Sequence, residues 1–138
     1  MHWRDEYVLG IQEMDNQHKT LIQGFTAIEE AIRLEKNWST IHFNITDLKD
    51  FARFHFACEE AQMRMFGYPE IKLHTAEHTH FFKVLSDIEI NSIRKSVEKD
   101  LVKFLRLWLT KHIVGSDREV ARHILSGASV MRTSLAGQ

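Results

Sequence analysis

Five histidines and two carboxylates fall at spacings that let them meet one another: His18, His55 with Glu59, His74 with His78, and His112 with Asp117 close behind. Residues four apart on an α-helix differ by about 40° in azimuth and about 6 Å along the axis, so both side chains reach a common point. The sequence carries that step twice, as HFACE at 55–59 and HTAEH at 74–78. Imidazole with carboxylate is a donor set for iron, zinc or copper rather than for calcium or magnesium. Seven such groups exceed what one tetrahedral zinc ion accepts. The pattern therefore predicts a site for two metal ions.

Holding these groups in place requires long, regular elements. One proline and six glycines in 138 residues argue for helices rather than a sheet. After an arm over about residues 1–13, Asp15 is the expected N-cap of a helix reaching about Lys36, with Leu21, Ile22, Phe25, Ile28 and Ile32 inward. Asn37 and Trp38 are expected to turn the chain. Ser39 would then cap a second helix to about Phe66, with Phe43, Leu48, Phe51, Ala52 and Phe54 in its apolar stripe. Gly67-Tyr68-Pro69 reads as a stop and a restart, so a third helix is expected from Pro69 to about Ile90. Asn91 and Ser92 form a break. A fourth helix follows to about Val114, with Val97, Leu101, Phe104, Leu105 and Trp108 inward. Residues 126–138 read as a loosely held tail.

Short connections favour antiparallel neighbours, which gives an all-α, antiparallel up-down-up-down four-helix bundle with an N-terminal arm. Residues 1–138 are expected to form a single domain, with the bundle over about 15–114 and a ligand loop and tail over 115–138. This topology tests the ligand reading independently. His18 begins helix one, His55 and Glu59 end helix two, His74 and His78 begin helix three, and His112 ends helix four. All lie at the same end, within a slab of about 10–15 Å. Asp117 needs more, since five residues past His112 an unbroken α-helix would turn it about 140° away. Gly115, acting as a C-terminal cap, would end the helix and fold Asp117 back toward the others. The alternative is an ordinary helix end with an exposed aspartate.

Composition narrows the function classes. A formal net charge of −1 offers no basic face for nucleic acid. No apolar run approaches the roughly 20 residues of a transmembrane helix, and the N-terminus has no signal-peptide core. The single Cys58 excludes an intrachain disulfide and fits a cytoplasmic setting.

Asp15-Asn16-Gln17-His18, His55-Phe56 through Glu59-Glu60, His74 with His78, and Trp108 through His112-Ile113 to Asp117 together resemble the hemerythrins, and most closely the single-domain bacterial ones. The resemblance covers nearly the whole chain. It implies a non-haem di-iron centre, bridged by an oxo or hydroxo group, that binds dioxygen reversibly for storage, transport or delivery. It implies that His74, His78 and His112 hold one iron, that His18 and His55 hold the other with a position left for dioxygen, and that Glu59 and Asp117 bridge the two. It also implies that Phe56, Trp108, Leu109 and Ile113 form the walls of a dioxygen pocket; plain core packing is the alternative for these four. Ligand type alone does not separate iron from manganese or zinc.

The family resemblance leaves a sensory module, read by a protein partner, as the alternative to a carrier. A di-iron oxidase or peroxidase fits less well, because oxygen-activating bundles with paired Glu-x-x-His motifs are richer in carboxylates. The chain is therefore expected not to be an enzyme. Of the remaining residues, His2, His42, His80 and His123 are expected at the surface, and Glu60, turned about 100° from Glu59, in solvent or at the edge of the site. Cys58 is expected as a small buried hydrophobe, and Met63 and Met65 as packing residues.

Overall fold

The computed structural model describes the backbone of residues 1–92 and 97–136, and the side chains of 1–92 and 97–127. A short 3₁₀ turn at Asp5–Tyr7 precedes α1 (Gln12–Arg33), α2 (Trp38–Met65), α3 (Ile71–Asn91) and α4 (Glu98–Lys111). A π turn, His112–Asp117, then leads into α5 (Arg118–Ala136). α1 packs on α2, α2 on α3, α3 on α4 and α4 on α1, closing a four-helix ring. The ring encloses Phe25, Ile28, Ile45, Leu48, Phe81, Leu85, Leu101 and Leu105.

Capping chemistry moves several boundaries. α1 starts at Gln12, so Asp15 lies inside the helix. Its carboxylate accepts hydrogen bonds from the Leu9 and Gly10 N–H groups (2.8 and 3.3 Å), tying the arm down. Gly10, at φ 92°, makes the turn that this requires. Asn37, rather than Ser39, caps α2, its side chain accepting from the Thr40 N–H at 2.9 Å. Gly67 ends α2 at φ 61°, with the Tyr68 N–H donating to the Met63 carbonyl, and α3 begins two residues after Pro69.

Phe43 and Phe54, expected inward, are 63% and 55% exposed, and Met65 is 78% exposed. The inner face of α2 is Ile41, Ile45, Leu48, Ala52, Phe56 and Met63. Each outlier sits two residues from a member of that face, about 200° around the helix. Val97, just before α4, and Leu101 and Leu105 within it are buried, while Phe104 and Trp108 are half-buried. Any start of the fourth helix within 93–96 lies outside the described residues.

The largest departure is at the C-terminus. Instead of a loose tail, helix α5 extends to Ala136, and residues 137–138 lie outside the described part. α5 is held by Val120, Ala121 and Ile124, which pack on Leu9, Met14 and Met63. Among the described residues, no helix is long and apolar enough to cross a membrane.

Candidate metal centre

α1 brings His18 to this end of the bundle, α2 His55 and Glu59, α3 His74 and His78, and the π turn His112 and Asp117. All seven are 4% exposed or less. Their donor atoms form two groups sharing both carboxylates: Glu59, His74, His78, His112 and Asp117, and then His18, His55, Glu59 and Asp117. The carboxylate oxygens divide accordingly. Glu59 Oε1 faces His74 and His78 (3.2 Å to His78), while Oε2 faces His55 at 3.2 Å. Asp117 Oδ1 lies 3.1 Å from His74 and 3.0 Å from His112, and Oδ2 lies 2.9 Å from His18.

Asp117 reaches the others by a route different from the expected one. Gly115 has no left-handed backbone and does not end the helix. The chain instead widens into a π turn, whose i→i+5 bonding brings residues five apart onto one side. His112 and Asp117 are five apart, so the π turn aligns them where an α-helix would not.

Protons alone do not satisfy this cluster. His18 Nε2 lies close to Asp117 Oδ2 but out of hydrogen-bond alignment, and His55 Nε2, Glu59 Oε2 and both Asp117 oxygens have no hydrogen-bond partner. Every buried side-chain polar atom without a partner, among the described residues, belongs to this centre. Such atoms are costly unless something binds them. Two donors to one cation, each about 2.1 Å from it and at right angles, stand about 3 Å apart, which is the spacing found here. The residues fit a pair of metal ions.

Outer contacts orient the rings. His55 Nδ1 donates to Gln17 Oε1 at 2.7 Å, and His112 Nδ1 to the Glu77 carboxylate at 2.8 Å. Each leaves Nε2 facing the centre. Neither Gln17 nor Glu77 was among the expected site residues. Their signal was adjacency, since each immediately precedes a cluster histidine, His18 and His78.

Burial pushes the Glu59 carboxyl up, but the surrounding imidazoles of His112, His55, His74 and His78 hold it well below the usual range. Asp117 is also lowered: burial and the Glu59 charge oppose this, and His112 and His18 outweigh both. Burial disfavours a charged His74, yet Asp117 and Glu59 raise it to about 9. His112 is raised by Asp117, Glu59 and Glu77 against the same burial, whereas burial lowers His78.

Phe56 stacks on His78 with ring centroids 3.8 Å apart, and Trp108 on His112 at 4.3 Å. Leu109 and Ile113 are buried, Leu109 in the bundle core and Ile113 against Tyr7 and Ile22. Cys58 is half-buried rather than buried; it lines a small cavity beside His55 and Glu59 and joins neither donor group. Glu60 stands 3.7 Å from His78 Nδ1. His2, His42 and His80 are exposed, but His123 is half-buried and donates to the Phe66 carbonyl at 2.7 Å.

A helical bundle gathering imidazoles and carboxylates at one end defines a metal-binding class of protein. The Hemerythrin HHE cation binding domain matches residues 9–124. The chain is 32% identical over 124 residues to a bacteriohemerythrin of Clostridium acetobutylicum, covering 85% of this chain and 95% of that one. It is 30% identical over 128 residues to a bacteriohemerythrin of Pseudomonas aeruginosa (90% and 83% covered). To a myohemerythrin of Theromyzon tessulatum it is 23% identical over 115 residues (83% and 86%). This chain belongs to the hemerythrin family.

Proposed function

We propose that the protein binds dioxygen reversibly at a pair of iron ions, as a carrier or store rather than an enzyme. The observation that carries this is the division of the carboxylates, with one oxygen of Glu59 and of Asp117 toward the three-histidine group and the other toward the two-histidine group. His74, His78 and His112 would hold one iron, His18 and His55 the other, and Glu59 and Asp117 both. When bound, the irons supply the electrons that dioxygen takes up and returns. The unequal histidine count leaves the His18–His55 side poorer in protein donors, and so more open to an exogenous ligand. Phe56, Trp108, Leu109 and Ile113 would keep water from the bound gas. Family membership over residues 9–124 supports treating 1–138 as one such domain. The free Cys58 fits a cytoplasmic, reducing setting.

The test is metal content with the visible spectrum of protein reduced anaerobically and then exposed to air. Two irons per chain and a band that appears in air and fades under argon are expected. A centre that oxidises once and never returns would overturn reversible binding.

One observation favours a sensory reading as the alternative. The turn bearing His112 and Asp117 runs unbroken into α5, so a shift at either ligand would be transmitted to Ala136. Equal protease sensitivity of α5 in reduced and oxygenated protein would rule this out.

A further inference from the structure

A second cavity adjoins the metal cluster, with His112 among its lining residues. Between α3 and α4 is an open groove of about 500 Å³, within the range of small-ligand sites. Leu73, Ala76, Phe104, Leu107 and Trp108 make its walls apolar. Leu73 and Leu107 remain 62% and 48% exposed, leaving apolar surface for a ligand to cover. Trp108 has a double position. It lines the groove, and its indole stacks on the His112 ring at 4.3 Å with the planes 15° apart. An unbroken aromatic contact therefore leads from a surface groove to a ring of the metal centre. The rim carries Lys111, which forms no ion pair among the described residues, and His80. Glu77, the groove's one carboxylate, is already engaged by His112.

We propose that this groove binds a reduced flavin carrying a phosphate, and that Trp108 relays its electrons through His112 to restore a centre that has been oxidised. An apolar slot with aromatic walls suits a planar isoalloxazine, and Lys111, without an ion pair among the described residues, suits the phosphate. A dihydroflavin releases electrons one at a time, which matches acceptors that each take one. The balance closes. One dihydroflavin gives up two electrons and two protons, two ferric ions become ferrous, and the flavin leaves oxidised with its protons passing to solvent through the open groove. The electron acceptor rests on the di-iron reading above; the binding site does not.

The test begins with flavin mononucleotide titrated into the whole chain, with and without iron, following quenching of flavin fluorescence. Saturable quenching is expected in both, with Ala76→Trp and Leu107→Glu each weakening it about tenfold, or about 1.4 kcal/mol. Lys111→Ala, a milder change at the surface, should weaken flavin mononucleotide but not lumiflavin, which lacks the phosphate. With photoreduced flavin mononucleotide, the air-oxidised iron protein should be reduced at a rate that saturates in flavin and falls about tenfold in the two groove variants. Quenching that is absent, or the same in wild type and all three variants, overturns the proposal. Groove-dependent quenching in a protein with no reversible air-dependent band would sink the oxygen reading and uphold the flavin site.

Discussion

At the residue scale, the proposed metal binding requires each imidazole to present Nε2 unprotonated toward the centre. For His112 that orientation is set by Glu77, and for His55 by Gln17. Glu77→Gln or Gln17→Leu should therefore weaken metal binding by roughly 10–100-fold while leaving the helices intact, as read by competition with a chelator. Unchanged affinity in both would show that packing alone holds the rings. The titration behaviour points the same way. In the metal-free protein His74 titrates at about 9, above the ordinary histidine value, and His112 is also raised. A raised folded-state value contributes stability that is complete below the unfolded value of about 6.5 and is lost as pH climbs through about 9. Metal needs the neutral rings, so loading near pH 7 should release protons from His74 and His112, and affinity should rise with pH up to about 9. Calorimetry in buffers of differing ionisation enthalpy would detect the release, and its absence would contradict this assignment. The lowered carboxyls of Glu59 and Asp117 act in the opposite sense. Their contribution is present above the ordinary carboxylate range and is lost as pH falls through their folded values. The cluster itself was legible because i,i+4 spacing is a local rule. Glu77 was not, because its partner lies 35 residues away on another element.

At the element scale, the π turn decides whether Asp117 joins the site. The sequence shows the difficulty, a five-residue step between two groups that must face the same way, but not which device resolves it. Gly115 pointed to a left-handed cap, since glycine past a helix end commonly serves that purpose. A π turn serves equally well and leaves no compositional trace, because periodicity arguments assume a constant 3.6 residues per turn. The two devices make opposite predictions for Gly115→Ala. An added Cβ meets nothing within 4 Å, and the backbone needs no positive φ. Alanine should thus stabilise the protein by about 0.4–1 kcal/mol through the unfolded chain, with metal content unchanged. A loss of about 1 kcal/mol or more in chemical denaturation would restore the cap. The same assumption of local sufficiency explains the Asp15 and Ser39 expectations. Each is a competent cap, but Asp15 was recruited by the arm, and Asn37 reached the start of α2 first. α5 escaped notice because what holds it is long-range, Val120, Ala121 and Ile124 against Leu9, Met14 and Met63.

At the scale of the whole molecule, the two ends of the bundle are held by different chemistry. Away from the site, Phe25, Ile28, Ile45, Leu85 and Leu101 form an apolar core in which no side chain needs a hydrogen-bond partner. At the other end, α1, α2, α3 and the π turn meet through seven ionisable groups, several with orphaned buried atoms. Metal bound there would satisfy those atoms and join four elements at once, whereas without it the Glu59 and Asp117 carboxylates face each other in a medium that screens poorly. Any ligand that binds only the folded state also stabilises it by mass action, about 4.1 kcal/mol at a thousandfold excess over its dissociation constant. Removing the metal should therefore loosen the molecule unevenly. Hydrogen exchange on chelated protein should show protection lost around His18, His55–Glu59, His74–His78 and His112–Asp117. The core amides from Phe25 to Ile28 and around Leu85 should remain slow. Uniform loss along every helix would mean that metal sets global stability and that the apolar end cannot stand alone. No loss at either end would mean that protonated His74 and His112 already hold the site closed, with metal adding only chemistry. The graded pattern is expected because the apolar core joins α1, α2 and α3 to α4, from which the π turn follows, and keeps them together when the other end is released.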